Sequence, residues 1–363
     1  MRILFLSYNY SPDIRSPQEW MERIKFYIGW SEIMAKKHTI IRVDQINFEG
    51  NFSQLGIQYY FVRSGKKRNY FPWRLNRLVK ELKPDLVVVS SFSFPLQVIQ
   101  LRNCLGNNIK IILQHHAEQP FSGIKRYIQY LASQKVDAFL FTSYETGAEW
   151  VKNKNLASDK KIYELLEVSS SFYPVDRKTA REITRVAGSP VFLWVGRLNL
   201  NKDPLTAVRA FLKYAEVQTD AKLYMIYHTD EQLEEVKNLL PGKPYKNPVT
   251  LIGKIPRKEL MYWFNSADYY LSASHYEGSG TALCEAMSCG CVPIVSNIPS
   301  FRVISGNSGF LFEPGNVDAL LSALKRCQQS DMEEKKKMVL NRFRTELSFD
   351  AIADRFEQLT NSI

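Results

Sequence analysis

Two carboxylates, Glu277 and Glu285, bracket the turn Gly278-Ser279-Gly280-Thr281-Ala282. An apolar stretch from Tyr269 to Ser274 runs into this turn, and a helical pattern from about Thr281 to Cys289 leaves it, with Gly290 placed as a helix stop. This is half of a βαβ unit with a helix N-terminus at the carboxyl end of a strand, where open α/β sheets bind ligands. The free N–H groups of Ser279 to Leu283 face an anion, and Gly278 and Gly280 let the backbone approach it closely. A diphosphate fits that description. The carboxylates would repel such a ligand unless they face neutral hydroxyl groups and accept hydrogen bonds from them. A nucleotide sugar has hydroxyls on both sides of its diphosphate.

Two further groups carry chemistry. Val191 to Val195 reads as a buried strand ending in Gly196-Arg197-Leu198-Asn199, and Lys202-Asp203-Pro204 opens the next helix. An Arg and a Lys held at a strand end can neutralise a diphosphate as its charge grows during departure of a leaving group, so Arg197 and Lys202 form a candidate electrophilic pair. Gln114-His115-His116-Ala117-Glu118 places two imidazoles where a buried strand gives way to its loop; successive positions point to opposite faces, so one of the two is structural. Cys284, Cys289 and Cys291 cluster at spacings that fit no zinc motif, and the five cysteines read as small core residues. No metal site is expected.

The elements that position these groups alternate strand and helix through most of the chain, which predicts an α/β fold with parallel sheets. At 363 residues the chain suggests two domains. The first, residues 1–175, opens with a strand from Ile3 to Ser7, then Tyr8 to Asp13 and a long helix over Glu19 to Lys37. Its sheet continues through Thr39 to Val43, Gln58 to Val62, Leu86 to Ser90, Lys110 to Leu113 and Ala138 to Thr142. Ser143 is expected to cap a helix, and Tyr163 to Val168 leads to Ser169. No Gly-x-Gly-x-x-Gly follows the first strand, which disfavours a nicotinamide dehydrogenase. The polar segment Tyr173 to Ser189, with Pro174, Gly188 and Pro190, reads as a linker with a short helix. The second domain, residues 189–345, holds the Glu277 to Gly290 stretch, and the tail, residues 346–363, is predicted to form an amphipathic helix packing back on the first domain.

The net charge is +11, nine of it from residues 1–175. Lys66-Lys67-Arg68-Asn69-Tyr70-Phe71-Pro72-Trp73-Arg74 interleaves basic and aromatic side chains ahead of a helical pattern from Trp73 to Leu82. Residues 66–77 can rest on an anionic membrane surface, or form a solvated loop whose aromatics cap the core. Nucleic acid is disfavoured, because no recognised binding module surrounds the charge. No apolar run approaches a membrane span, and the apolar opening is too short for a signal peptide, so a cytoplasmic protein is expected, peripheral on the membrane's inner face if it binds lipid.

Glu277, seven residues, then Glu285 around a Gly-x-Gly turn, with Ala286-Met287-Ser288-Cys289-Gly290 behind, resembles the signature of the retaining family 4 glycosyltransferases. Gly196-Arg197-Leu198 with Lys202 is similar to that family's second signature. The resemblance spans the chain and is strongest in the second domain. It implies the GT-B arrangement, two Rossmann-like domains facing each other across a cleft, with no metal or other cofactor. Glu277 would contact the transferred sugar, Glu285 the ribose, and His116 a sugar hydroxyl or the reacting centre. Arg197 and Lys202 would hold the diphosphate, and the backbone around Lys254 and Ile255 would seat the nucleobase. Where the family often carries a Gly-Gly pair in the first turn, this chain has Arg15-Ser16-Pro17-Gln18, and Arg15 and Ser16 are the acceptor-side candidates.

The implied activity is transfer of a hexose-type sugar, with retention, from a nucleotide-diphosphate sugar to a saccharide or lipid-linked saccharide in cell-surface polysaccharide synthesis. Two other readings share the motifs: a sugar-nucleotide epimerase or phosphorylase on the same fold, and a non-catalytic nucleotide-sugar-binding protein.

Overall fold

The computed structural model describes residues 1–25, 27–63, 70–240 and 247–363. They form two compact units: Met1–Ser169 together with Phe349–Ile363, and Ser170–Ser348.

The first unit runs β1 (Arg2–Ser11), α1 (Pro17–Ile24), α2 (Gly29–Met34), β2 (Thr39–Ile46), β3 (Gly50–Gln54), β4 (Ile57–Val62), α3 (Trp73–Glu81), β5 (Leu86–Ser90), α4 (Pro95–Leu105), β6 (Lys110–Gln114), α5 (Gly123–Ser133), β7 (Ala138–Phe141), α6 (Tyr144–Lys152) and β8 (Ile162–Glu164). Its strands lie in the order β3-β4-β2-β1-β5-β6-β7-β8 and pair in parallel, except that β3 is antiparallel to β4. Strand register explains the two faces. Leu4, Ile41, Val87 and Ile111 are aligned across four strands and share one fully buried core. At the carboxyl ends, a second aligned row is polar: Ser7, Ser90 and Gln114.

The second unit runs α7 (Arg177–Thr184), β9 (Val191–Gly196), α8 (Pro204–Ala215), β10 (Lys222–Tyr227), α9 (Leu233–Leu239), β11 (Val249–Gly253), α10 (Arg257–Ser266), β12 (Tyr269–Ser272), α11 (Thr281–Ser288), β13 (Val292–Ser296), α12 (Pro299–Ser305), β14 (Phe310–Phe312), α13 (Val317–Gln328) and α14 (Met332–Arg342). The strand order is β11-β10-β9-β12-β13-β14, all parallel. Phe192 on β9 anchors the core, with ring centroids 5.2 Å from Phe211, 5.6 Å from Tyr214 and 4.9 Å from Tyr269. Burying each such side chain contributes roughly 1.5–3 kcal/mol. The strand order reverses between β9 and β12, so the loops after these two strands open at a topological switch point, where α/β sheets present ligand sites.

Several elements depart from the sequence reading. The helix expected over 19–37 is two, α1 and α2, and Gly29, the first residue of α2, lies against the ring of Phe349, where a Cβ would stand 2.6 Å from ring carbons. Residues 173–189 are part of the second unit: the Val175 N–H donates to Asn265 Oδ1 at 2.7 Å, and Arg177 pairs with the buried Asp268. Division therefore falls between Ser169 and Ser170, earlier than residue 175. Ser143 precedes α6, but its hydroxyl makes no cap; the Tyr144 N–H donates instead to the Glu164 carboxylate at 2.8 Å. The final helix, α15 (Phe349–Ser362), belongs to the first unit, where Phe356 lies 5.1 Å from Trp30 and Glu357 takes His38 and Lys37 as partners.

Candidate active site

In the second unit the loop after β9 and the loop after β12 are tied together at several points. The His275 N–H donates to the Asn201 carbonyl at 2.8 Å, Asn201 Nδ2 donates to the Tyr276 carbonyl at 3.0 Å, and His275 Nε2 lies 3.3 Å from Asp203 Oδ2. These links bring Lys202 and Glu277, 75 positions apart in sequence, into an ion pair. Asp203 supports the loop from below: its carboxylate accepts the Thr206 N–H at 3.1 Å and caps α8, while its own backbone has φ +42°. A non-glycine residue in that conformation is strained and persists only where surrounding bonds hold it. Arg197, at the end of β9 beside Gly196, is exposed.

Gly280 is the N-cap residue of α11 with φ +60°, and a Cβ there would sit 2.6 Å from Ile304 Cδ1. Only glycine fits. No side chain caps this helix, so the first-turn N–H groups at Thr281, Ala282 and Leu283 have the anion-binding geometry of a helix start. Gly278 is buried and Ser279 half-buried in the same turn.

Glu285, in the second turn of α11, is only 2% exposed and paired with Arg257, the first residue of α10. Burial pushes its carboxyl up to about 7, against the opposing pull of Arg257. The Arg257 guanidinium also lies 5.4 Å from the centre of the Phe172 ring. Arg257 was not among the residues singled out from the sequence; its signal was its place at the first turn of the helix that follows Lys254 and Ile255. Lys254 is exposed and Ile255 half-buried between β11 and α10.

In the first unit, the two adjacent imidazoles lie just past the end of β6 and have different surroundings. His115 turns into the core beside Phe141, 4.7 Å between ring centroids, and its Nε2 bonds the Glu118 carbonyl at 3.0 Å; burial holds its basicity down. His116 keeps 28% of its side chain exposed, with Nδ1 bonded to Glu167 and its backbone N–H donating to Glu118 Oε2 at 2.7 Å. Ala117 between them has φ +71°, and Ser91 at the end of β5 has φ +87°, so strained backbone accumulates around this histidine as it does at Asp203. Arg15 is exposed, and Ser16 is occupied as the cap of α1, its Oγ accepting the Glu19 N–H at 3.2 Å. Neither residue is brought to His116 by a bond among the described residues. Nor does any group of three or more His, Cys, Asp or Glu side chains among them have the geometry to hold a metal ion.

The fold these sheets build, two parallel-sheet α/β units, is that of the GT-B glycosyltransferases. A crystallised glycosyltransferase from Rickettsia africae superimposes with a TM-score of 0.74 over 99% of this chain and 98% of that one, at 18% identity. Residues 176–343, within the second unit, match the family model "Glycosyl transferases group 1". Among curated relatives, the O-antigen chain mannosyltransferase B of Escherichia coli is 22% identical over 57% of this chain and 56% of its own length. An E. coli UDP-Gal:alpha-D-GlcNAc-diphosphoundecaprenol alpha-1,3-galactosyltransferase is 30% identical over 38% of this chain and 36% of its own. This chain thus spans about half the length of the first of these relatives and about a third of the second.

Proposed function

We propose that the protein is a retaining glycosyltransferase that moves a hexose-type sugar from a nucleotide-diphosphate sugar to a saccharide or lipid-linked saccharide in polysaccharide synthesis. The observation that carries this reading is the convergence, at the switch point of the second sheet, of Lys202, Glu277 and the uncapped start of α11 inside the stretch matched by the family model. A helix start and a cation on a facing loop suit a diphosphate whose charge increases as the glycosidic bond breaks. Arg197 supplies a second cation beside Lys202. Glu277 turns from Lys202 to a sugar hydroxyl, while Lys202 turns to phosphate. Glu285 accepts hydrogen bonds from the ribose, the backbone at Lys254 and Ile255 takes the base, and Gly196, Gly278 and Gly280 leave room for the diphosphate. His116 in the first unit bonds a sugar oxygen; Arg15 and Ser16 lie on the acceptor side. These roles need no metal ion.

The relatives' names support a saccharide or lipid-linked acceptor: one is an O-antigen chain mannosyltransferase, and the other acts on a diphosphoundecaprenol-linked sugar. A lipid-linked acceptor fits peripheral binding at an anionic membrane, supported by the exposed Tyr70, Phe71 and Trp73 beside Arg74. Lys66 to Asn69, the basic half of that segment, lie outside the described residues. No described helix is long and apolar enough to cross a membrane. All five cysteines are free thiols, which suits a reducing, cytoplasmic compartment.

The test is incubation with UDP-, GDP- and ADP-hexoses and short saccharide or polyprenyl-diphosphate acceptors, with and without EDTA, reading the anomeric configuration of the product by NMR. Transfer with retention, insensitive to EDTA, is expected. Inversion, or a requirement for divalent metal, contradicts the mechanism, and epimerised donor without acceptor favours the epimerase reading.

A further inference from the structure

His116 has one ring nitrogen engaged and one not. Glu167 accepts at Nδ1, and a carboxylate that is ionised has no proton to give, so the Nδ1 proton belongs to the imidazole. Nε2 is buried and has no hydrogen-bond partner. Two residues earlier, at the last position of β6, Gln114 is 4% exposed and its Nε2 is likewise unpartnered. Buried polar groups are nearly always paired, so these two unpaired nitrogens point to a ligand with hydroxyl groups, whose oxygens accept from the Gln114 amide and from a doubly protonated His116 ring and whose O–H donates to Nε2 when the ring is neutral.

We infer that Glu167 is a positioning residue for His116: by accepting from Nδ1 it fixes the plane and tautomer of the ring and presents Nε2 to a hydroxyl of the transferred sugar or acceptor. This rests on the transferase reading for the identity of the ligand, not for the state of the ring. The charged and titratable groups facing His116 are Glu167 from the segment after β8, Glu118 and His115 from its own turn, and Arg42 from β2. Burial works to lower the basicity of the ring, but the Glu167 carboxylate, with Glu118 behind it, outweighs burial and the Arg42 charge, and the net direction is upward. Glu118 is committed elsewhere, to the backbone N–H groups of His116 and Phe92, which leaves Glu167 as the side-chain partner of the ring.

Charge on the ring favours donation, so activity that depends on the Nε2–H is full below the ring's pKa and falls as pH rises through it. The imidazolium gives up no proton in the reaction; it only donates a hydrogen bond.

The experiment is an NMR titration of the His116 Cε1–H in the full-length protein, its resonance identified by its absence in H116Q, alongside the pH profile of kcat/KM. In E167Q the ring midpoint is expected to fall by about one pH unit, with the alkaline limb of kcat/KM moving down by the same amount. E167D, which keeps the charge, restores most of both shifts. An E167Q protein of wild-type thermal stability whose ring titrates at the wild-type midpoint overturns the proposal. So does an alkaline limb that stays in place while the midpoint moves. The ring titration is read without substrate, so failure of the transferase reading shows separately, as absence of turnover by the wild type.

Discussion

Arg257, the first residue of α10, forms an ion pair with Glu285 in the second turn of α11, and the carboxylate is all but removed from water. This carboxyl, in the second turn of the helix whose start the proposed diphosphate occupies, has a guanidinium rather than solvent as its partner. Breaking a buried pair leaves an uncompensated charge, which costs more than the pair itself contributes.

The pH dependence of stability follows from this pair. Burial raises the Glu285 carboxyl to about 7 in the folded protein, so the folded state holds a proton that the unfolded chain has already released. The stability linked to that proton is complete below the ordinary glutamate value and is lost as pH rises through about 7. Urea unfolding of the wild type and Glu285→Gln between pH 4.5 and 8 should differ in slope by on the order of 2–3 kcal/mol across that window, the variant being flatter. Equal slopes would show that Arg257 keeps Glu285 ionised throughout.

Gly280→Ala should destabilise the second unit and disrupt the diphosphate cradle together. A methyl group would meet Ile304 Cδ1 at 2.6 Å, and φ +60° disfavours any side chain. A loss of about 1–3 kcal/mol in urea unfolding is expected, with nucleotide affinity reduced further. Wild-type stability would mean that the turn relaxes freely and is not held by the contact with α12.

Lys202→Ala separates chemistry from folding. The pair with Glu277 is partly exposed, 25% and 15%, so its contribution to stability is small, whereas a cation at a leaving diphosphate supplies transition-state stabilisation. Turnover should fall about 10²- to 10³-fold with the thermal midpoint within a few degrees of wild type. Retained turnover, or an unfolded variant, contradicts the assigned role.

The local parts of this site were legible in the sequence and the partners were not. Glu277, Glu285 and the glycines between them lie in one βα turn, and His116 declares itself at a strand end, because such features depend on neighbours a few residues away. Arg257 reaches Glu285 across 28 positions, Glu167 reaches His116 across 51, and Lys202 meets Glu277 across 75. Sheet order decides those meetings, and periodicity does not reveal it. Strand β3 escaped for a different reason: none of its five residues is buried, so it carries no apolar alternation. The close approach at the start of α2, where Gly29 meets the ring of Phe349, involves a residue from the far end of the chain.

The central claim is that the second unit binds a nucleoside diphosphate through the α11 start and Glu285. The most direct measurement is thermal stabilisation of the purified protein by UDP, GDP, ADP and their hexose conjugates, with and without EDTA, in the wild type and Glu285→Ala. Ligand at a hundred times its dissociation constant adds about 2.7 kcal/mol to the folded state. Selective stabilisation by one base, unchanged by EDTA and abolished in a folded Glu285→Ala variant, is the predicted result; no stabilisation by any nucleotide contradicts the account.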